Sequence, residues 1–419
     1  MSISGDTADS IVLEISNVAH GGVFVARHEG RVVFVPDTMP GETVRARITD
    51  DSKKSFWRAE TLEVLTPAPE RVPHIWSAAS IDRAPDERAG GAEFGHIALP
   101  HQRELKRRVL VDALQRFGGI ERDVEVEAAP GDDEANGLGY RSRVSLHVDE
   151  EGRVGPFAAR SHRVVPVDDL PLATSAVQQA APLGTPMPGL ERVDVIAPSV
   201  GATRVVGTDP DGRRRAGEPL IERVGTREFH VAEEGFWQVH RHAADVLTRA
   251  VQDILVADEF DPQAFNLDLY GGVGLFAAAL GDKFGRTTRI TTVESETTAT
   301  DWAAENLAEW VGAQAITDRV DRYLQRLVRS VGASERRRLQ AATVVLDPPR
   351  SGAGKNVVSA LVDLHPAQIV YVACDPVALA RDLGSFRDAG YELDRLRAFD
   401  LFPHTHHLES VALLRPTNR

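Results

Sequence analysis

The sequence is poor in cysteine. Its 419 residues include a single one, Cys374. One cysteine cannot form an intramolecular disulfide, and it cannot by itself supply the thiolates of a zinc or iron–sulfur site. The thiol is therefore either an inert core residue or a reactive group.

Long apolar runs are also missing. No stretch approaches the roughly 20 apolar residues of a membrane-spanning helix, and the N-terminal residues are mostly polar. The sequence predicts neither a membrane span nor a signal peptide, so we expect a cytoplasmic protein.

Lysine is scarce, because nearly all of the 48 basic residues are Arg, and the formal net charge is −14. An acidic chain is a poor non-specific ligand for nucleic acid, since phosphates attract basic residues. Arg, however, suits bidentate phosphate contacts and stacking on bases. Two Arg clusters stand out, at 141–143 and 213–215. We interpret the second cluster as solvated surface.

The first half of the chain divides into three kinds of segment. Residues 11–66 read as short strands separated by glycine-containing turns, which is typical of a small OB-type barrel, and the proline-rich stretch 66–73 predicts a linker. Residues 74–100 look irregular, and a helix is predicted over 101–117. Residues 120–225 mix short apolar runs with Gly, Pro and Asp, as in an α+β region.

The second half alternates strand-like and helix-like segments, beginning with a predicted helix over 239–256 and a strand over 265–269. This alternation predicts an α/β fold with a doubly wound, mostly parallel, Rossmann-like sheet. Ligands bind such sheets at the carboxyl ends of the strands. We therefore divide the chain into an OB-like barrel (1–68), a central α+β domain (69–228) and a doubly wound domain (229–419).

A glycine-rich turn follows the strand predicted over 265–269. Tyr270, Gly271 and Gly274 lie in this turn, Asp268 precedes it, and Glu294 ends the next predicted strand. Glycines let the backbone approach a ligand closely, and an acid at the second strand end can accept hydrogen bonds from ribose hydroxyls. NAD and S-adenosylmethionine both fit this pattern. The G-x-G-x-x-G spacing of NAD sites is absent, and the acid before the turn favours S-adenosylmethionine.

Two further predicted strands end in polar residues. One ends at Asp347, and the two prolines after it fix the exit of the chain so that Asp347 faces the ligand cleft. Arg350 then stands where amino-methylating enzymes usually carry an aromatic residue, which argues against N-methylation. The other strand ends at Cys374, before Asp375 and a predicted helix. A helix N-terminus favours the thiolate, so Cys374 is a candidate nucleophile.

The last candidate segment contains His404, His406, His407 and Glu409. The spacing of the histidines matches no common zinc pattern, and no cysteine partners exist, so we predict no metal site. Glu409 stands directly before an apolar strand and is a candidate general base. An ordinary capping or surface glutamate is the alternative interpretation.

Together these motifs resemble the TrmA/RumA-type family of RNA 5-methyluridine methyltransferases over nearly the whole chain. Residues 11–66 look like its RNA-binding TRAM domain, and Phe236-Trp237-Gln238 is similar to its Phe-Phe-Gln segment. The resemblance implies S-adenosylmethionine as cofactor and RNA, either rRNA or tRNA, as partner. The predicted cofactor-binding residues are Gln238, Asp268, Tyr270, Gly271, Gly274, Glu294 and Asp347.

The resemblance also assigns the catalytic pair. Cys374 matches the nucleophile of the family's Ser-Cys-Asn-Pro motif, and Glu409 matches the base of its Phe-Pro-x-Thr-x-His-x-Glu motif. Cys374 would attack carbon 6 of a uridine, and Glu409 would later remove the proton from carbon 5. Ala373 and Asp375 replace the Ser and Asn of the first motif. We expect a monomer that contacts no membrane.

Three departures from the family pattern lie elsewhere. Gly272 replaces a common Cys, and His240 replaces a frequent Asn. Many members carry cysteines between residues 74 and 100 for a [4Fe–4S] cluster, and this chain has none there. We therefore predict that it holds no cluster, and that other packing holds the segment.

Three alternatives remain open at this point. RNA 5-methylcytosine enzymes generally use two cysteines, so the single Cys374 disfavours that reaction. An inactive RNA-binding protein on a methyltransferase scaffold is disfavoured by the presence of Cys374, Glu409 and the glycine turn. A small-molecule methyltransferase is disfavoured by the TRAM-like N-terminus.

Overall fold

A computed structural model describes residues 10–214 and 217–417. Arg215 of the second basic cluster and the N-terminal residues 1–9 therefore lie outside the described residues. Within them, the N-terminal strands close into a barrel in the order β1-β2-β3-β5-β4. Its strands are β1 (Ser10–Ala19), β2 (Val23–His28), β3 (Arg31–Val35), β4 (Thr43–Asp50) and β5 (Phe56–Thr66).

The segment 74–100 is mostly irregular, as expected, with short 3-10 helices at Ser77–Ala79 and Pro85–Glu87. Buried polar contacts attach it to the barrel. Arg88 donates to Asp37 Oδ2 at 2.8 Å and to the Thr61 carbonyl at 3.0 Å, and His96 Nε2 lies 2.9 Å from the Thr38 carbonyl oxygen. These contacts stabilise the segment by packing and hydrogen bonding.

The predicted helix over 101–117 is present as α1 (Leu99–Ala113), which continues into a π-helical turn at Leu114–Gly118. A short strand, β6 (Val126–Ala128), follows and pairs with a strand near the C-terminus. Leu110, Ala113 and Val126 pack into the core of the C-terminal sheet. Part of the predicted central region is thus built into that sheet, and the boundary at residue 228 stays a prediction.

The rest of the central region is small and antiparallel. Its strands form a sheet in the order β10-β9-β7-β8 and a separate β11-β12 hairpin in the described part of the chain. The elements are β7 (Arg143–Val148), β8 (Val154–Gly155), α2 (Ser175–Ala180), β9 (Arg192–Ile196), β10 (Arg204–Thr208), β11 (Leu220–Val224) and β12 (Arg227–Val231).

The C-terminal region confirms the predicted α/β class. The predicted helix over 239–256 begins four residues later, at Ala243. The elements of the C-terminal region are α3 (Ala243–Ile254), β13 (Asn266–Leu269), α4 (Leu275–Phe284), β14 (Ile290–Glu294), α5 (Thr297–Asn306), β15 (Ala313–Thr317), α6 (Val320–Ser330), α7 (Ala333–Gln340), β16 (Thr343–Leu346), α8 (Gly354–Leu364), β17 (Gln368–Ala373), α9 (Pro376–Asp388), β18 (Tyr391–Asp400) and β19 (Glu409–Pro416).

These strands form a sheet in the order β15-β14-β13-β16-β17-β19-β18-β6 within the described residues. The strands from β15 to β17 are parallel, whereas β19 is antiparallel to both β17 and β18. The strand order reverses between β13 and β16, and such a switch point leaves a crevice at the carboxyl ends of the strands. Within the described residues, no helix combines the length and apolar character that a membrane span requires.

Candidate active site

Five predicted site residues with functional side chains meet at the carboxyl edge of the parallel strands. Asp268 and Tyr270 stand at the end of β13, Glu294 at the end of β14, and Asp347 just after β16. Cys374 follows β17 directly. Strand direction explains the convergence, because parallel strands end at one edge of a sheet.

Glu409 reaches the same edge from the opposite direction. It is the first residue of β19, which runs antiparallel to β17, and Ala373 pairs with Ser410 across these strands. Cys374 is one residue beyond Ala373 toward the edge, and Glu409 is one residue beyond Ser410 in the same direction. Cys374 and Glu409 therefore lie at neighbouring positions. Burial and then the negative charge of Glu409 raise the pKa of the Cys374 thiol, and the effect of Glu409 agrees with this proximity.

The glycine turn after β13 has no room for a side chain at Gly271. A Cβ on Gly271 would lie 2.6 Å from Asp268 Oδ2. Gly274 begins α4 with a φ of 91°, a left-handed conformation that favours glycine. Tyr270 is also left-handed, with a φ of 60°. Backbone strain of this kind concentrates where a fold holds a ligand.

Asp268 lies beneath this turn and is fully buried. Its Oδ2 accepts hydrogen bonds from Ala277 N at 3.1 Å and from Thr292 Oγ1 at 3.2 Å, while its Oδ1 is buried without a partner among the described residues. Burial raises the pKa of Asp268 to about 7. The side chain thus supports the turn, and a direct contact with a cofactor stays a prediction.

Glu294 connects the glycine turn to the end of β14. Its Oε2 accepts a hydrogen bond from Gly272 N at 3.3 Å, and its Oε1 accepts from Ser295 Oγ at 2.9 Å and from Glu296 N at 3.1 Å. The carboxylate is therefore held at the rim of the crevice, at the position where an acid binds ribose hydroxyls in such folds.

A cavity of about 700 Å³ opens at this edge. It is lined by residues that follow four parallel strands, among them Tyr270, Ser295, Arg319 and Pro349. The volume is typical of a site for a small ligand. The tight glycine turn, the rim carboxylate and this cavity fit a nucleoside cofactor such as S-adenosylmethionine.

Sequence reasoning missed the part of this cavity that follows β15. Arg319, Val320 and Asp321 line it, directly after the strand Ala313–Thr317. The strand was overlooked because its residues are neither uniformly apolar nor regularly alternating, and most are only partly buried. The useful signal was Asp318, an acid at a strand end like Glu294 and Asp347.

Carboxyl groups are concentrated along this edge, and three of them have raised pKa values. Shielding from water raises the pKa of Asp347 to about 7, and Asp268 adds to the effect. Burial, followed by the charge of Asp347, raises the pKa of Glu409 well above its usual value. Each group opposes ionisation of the next, so the three carboxyl groups cannot all be charged at once without an electrostatic cost.

The expected thiolate at Cys374 is not favoured in this structure. Burial and the charges of Glu409 and Asp347 raise the pKa of Cys374 to about 12, against a smaller opposing effect of Arg350. The helix N-terminus does not compensate, because the Asp375 side chain already accepts from Val377 N at 3.0 Å and Ala378 N at 2.8 Å. The contacts and charges around Cys374 therefore contradict the expectation of a helix-stabilised thiolate.

The loop between β18 and β19 is held firmly. His404 is buried, with Nδ1 3.0 Å from Gln102 Nε2 and Nε2 2.8 Å from the Asn136 carbonyl oxygen. His407 Nε2 lies 3.4 Å from Arg350 Nη2, and His406 is paired with Glu93. Glu93, His406 and His407 are close enough to share an ion, but His406 already uses its Nδ1 on the carboxylate. The absence of a metal site stays a prediction.

Gln238 is the predicted site residue that the structure connects least to the others. No hydrogen bond or ion pair of its side chain is found within residues 10–214 and 217–417. His240, two residues on, is buried with Nε2 3.1 Å from Asp132 Oδ2. The two neighbours of Gln238, Trp237 and Val239, line a second cavity of about 510 Å³. This cavity faces the central sheet and is also lined by Arg141 and Arg143.

Known proteins resemble this chain over almost its full length. The family described as tRNA (Uracil-5-)-methyltransferase matches residues 223–417, and the TRAM domain matches residues 5–59. An uncharacterized RNA methyltransferase of Streptomyces avermitilis is 38% identical over 96% of this chain and 98% of its own length. The 23S rRNA (uracil(1939)-C(5))-methyltransferase RlmD of Chromohalobacter salexigens is 32% identical over 98% of this chain and 90% of its own.

Solved structures include one with the same fold. The crystal structure of Pyrococcus abyssi tRNA (uracil-54, C5)-methyltransferase in complex with S-adenosyl-L-homocysteine matches with a TM-score of 0.68. The match covers 96% of this chain and 100% of that one, at 20% sequence identity. At this identity the likeness confirms the fold.

Proposed function

Because the chain belongs to the TrmA/RumA-type family of S-adenosylmethionine-dependent RNA uracil-5-methyltransferases, we propose that it methylates carbon 5 of a uridine through a covalent adduct with Cys374. The observation that supports this proposal best is the placement of Cys374 and Glu409 at neighbouring positions of β17 and β19, at the same edge of the sheet as the cofactor-sized cavity. The reaction needs a nucleophile and a base on the same ring.

The chemistry explains why both groups are needed. Carbon 5 of uracil is too weak a nucleophile to take a methyl group directly. Addition of the Cys374 thiolate to carbon 6 produces an enolate, and the electron pair of that enolate makes carbon 5 nucleophilic. S-adenosylmethionine supplies the electrophilic methyl group. Glu409 then takes the proton from carbon 5, and the returning electron pair expels the Cys374 thiolate.

The electrostatics of the site suit this order of steps. A carboxylate with a raised pKa is a stronger base, so Glu409 holds the proton it removes more firmly than an exposed glutamate would. Arg350 is the cationic group that lowers the pKa of Cys374, and we propose that it favours the thiolate once RNA has entered. The six other predicted residues around the glycine turn and cavity, with Gln238, form the proposed cofactor site.

We propose that the uridine lies in a loop or single strand of a structured RNA, because a base must leave its stack to reach a buried thiol. The RlmD relative is named for 23S rRNA and the matching family for tRNA, so both RNAs are candidates. We propose that the protein acts as a monomer without an iron–sulfur cluster.

Mass spectrometry of RNA tests the reaction and the substrate together. tRNA and rRNA are purified from wild-type cells and from a strain that lacks the gene. We expect 5-methyluridine to disappear from one defined position of one RNA in the deletion strain. Unchanged 5-methyluridine in both RNAs would refute the proposed function.

A mechanism-based substrate tests Cys374. RNA with 5-fluorouridine at the target position cannot lose fluorine as a cation, so the adduct persists. We expect a covalent protein–RNA complex with the wild-type protein and none with Cys374→Ala, measured by denaturing gel electrophoresis. The same RNA with uridine at that position is the control, and a complex with the Ala variant would exclude Cys374 as the nucleophile.

Glu409 is tested with natural RNA. We expect Glu409→Gln to accumulate a methylated covalent complex, because the isosteric amide fills the space but cannot accept the proton. Intact mass measurement identifies the complex. Ser410→Ala, at the adjacent position of β19, is the control and should release product normally. Free turnover by the Gln variant would remove Glu409 as the base.

A further inference from the structure

We propose that His20, in the first turn of the N-terminal barrel, is a positioning residue that holds the Cys374-bearing turn in place through Asp375. The barrel would then contribute to the chemical step as well as to RNA binding. This inference rests on the proposed function, because it assumes that Cys374 is the nucleophile.

The first observation is an ion pair between two distant parts of the chain. His20, between β1 and β2, places its Nε2 3.1 Å from Oδ2 of Asp375. Asp375 directly follows Cys374 and is the N-cap of α9, where its Oδ1 accepts from Val377 N and Ala378 N. Both carboxylate oxygens are therefore engaged, one by the helix and one by the barrel. The orientation of the peptide after Cys374 depends on both.

The charges of the pair fit this role. The hydrogen bond to Asp375 raises the pKa of His20. Burial alone would raise the pKa of Asp375, but His20 and the capped backbone groups lower it overall. A carboxylate beside Cys374 would disfavour the thiolate, and the imidazolium form of His20, which this pairing favours, offsets that charge. An Asn would cap the helix as well without needing a partner. Asp375 carries a charge that an Asn would not carry, and this charge explains why a basic residue, His20, lies beside it.

The second observation is that the same barrel turn also touches the loop before Glu409. Gly22 is buried and has a φ of 72°, and a Cβ on it would lie 2.9 Å from Nδ1 of His406. His406 in turn pairs with Glu93. The turn His20–Gly22 thus contacts both segments that carry the catalytic pair. Contacts on both sides argue against a chance surface ion pair.

The pair cannot be explained by stability alone. His20 is 46% exposed, and an exposed ion pair stabilises a protein by little. Its removal should leave the fold intact. A loss that appears in the chemical step, and not in melting or in RNA affinity, is therefore specific to a positioning role.

The first experiment compares His20→Ala with His28→Ala in the full-length protein. His28 belongs to the same barrel and contacts Trp57, away from the catalytic segments. We measure the melting temperature, the RNA dissociation constant, and the rate of 5-fluorouridine adduct formation at saturating RNA and S-adenosylmethionine. We expect about a tenfold slower adduct rate for His20→Ala, with affinity changed less than about twofold. His28→Ala should change none of the three.

The second experiment tests the route of the effect. In an Asp375→Asn background, the helix cap is kept and the charge that His20 balances is gone. We expect His20→Ala to slow adduct formation less than about twofold in this background, which is the signature of coupled residues. An undiminished tenfold loss would overturn the proposed route through Asp375.

Two other outcomes also have definite meanings. If His20→Ala weakens RNA binding but reacts normally at saturation, His20 contacts RNA and the positioning role is wrong. If the wild-type protein forms no adduct at all, the proposed function fails, and that result is distinct from failure of this inference.

Discussion

The most unusual residues of the site are its carboxyl groups. Asp268, Asp347 and Glu409 all have pKa values raised by removal from water, and each is raised further by a neighbouring acid. Such clusters weaken the folded state whenever the groups ionise, and proteins keep them where a function requires them. The functions that we propose for these carboxyl groups are recognition of a cofactor and removal of a proton.

The buried Asp268 leads to a prediction about stability. Its folded-state pKa of about 7 lies above the value of 3.8 for an unperturbed aspartate. Protonated Asp268 makes its full contribution to the stability of the folded protein below the unfolded-state pKa. That contribution is lost as the pH rises through about 7. As the pH rises from 5 to 8, this group alone should lower the free energy of unfolding by about 2–3 kcal/mol.

Asp268→Asn should flatten that dependence, because a neutral amide pays no ionisation cost and its oxygen still accepts from Ala277 N. Urea unfolding at pH 5, 6.5 and 8 measures the difference. Asp301→Asn, at an exposed position of α5, is the control and should follow the wild-type curve. Parallel curves for wild type and Asp268→Asn would show that Asp268 is ionised across the whole range.

At the scale of elements, α1 holds the loop that precedes Glu409. Lys106 is fully buried and donates to Asp400 Oδ1 at 2.5 Å and to the Phe402 carbonyl at 3.0 Å. Gln102, one turn earlier, accepts from His404 N at 2.7 Å. A helix from the first half of the chain thus fixes the start of β19.

Lys106→Met should therefore be strongly destabilising. It leaves Asp400 buried without its closest cation, and breaking a buried pair in this way costs about 3–5 kcal/mol. Arg108→Met is the control, because Arg108 makes only a surface pair with Glu104 and should cost less than about 1 kcal/mol. Denaturant unfolding measures both. Lys106→Met with Asp400→Asn should recover part of the loss, and no recovery would mean that the pair is not the cause.

At the scale of the whole molecule, an acidic protein has to bind an acidic polymer. The net charge is −14, so attraction of RNA depends on local groups. We propose Arg141 as one such group. Its Nε donates to Tyr140 Oη at 3.3 Å and its guanidinium lies 5.6 Å from the Tyr140 ring centre, with no carboxylate partner within the described residues. Tyr140 in turn donates to the Pro403 carbonyl in the loop between β18 and β19.

We therefore expect Arg141→Gln to weaken RNA binding about fivefold to tenfold and to reduce the slope of log affinity against log salt by about 1. Arg213 is a matched control from the other cluster, because its side chain is exposed and pairs with Asp211. Arg213→Gln should bind like the wild type. Filter-binding titrations at several salt concentrations measure the RNA affinity of both variants. Equal losses of affinity would mean that RNA is attracted by the basic surface in general and not by Arg141 in particular.

Local patterns allowed much of the site to be predicted. The strands before Asp268, Glu294, Asp347 and Cys374 are short, apolar and followed by turn residues, and the structure places all four at one edge of the sheet. The roles of these residues stay predictions. β15 was missed because its composition is mixed, and β6 was missed as a sheet strand because it is three residues long and pairs with β18, far along the chain.

By itself, the sequence determined the α/β class, the family and the strand-end positions of the candidate residues, because these depend on periodicity and on motifs within a few residues. Only the tertiary structure decided how the pieces influence one another. Burial and the charges of Glu409 and Asp347, which lie at the ends of other strands, raise the pKa of Cys374, and Asp375 is paired with His20 from the barrel. Charge and burial act through space, so residues that are far apart in the chain set the properties of this site.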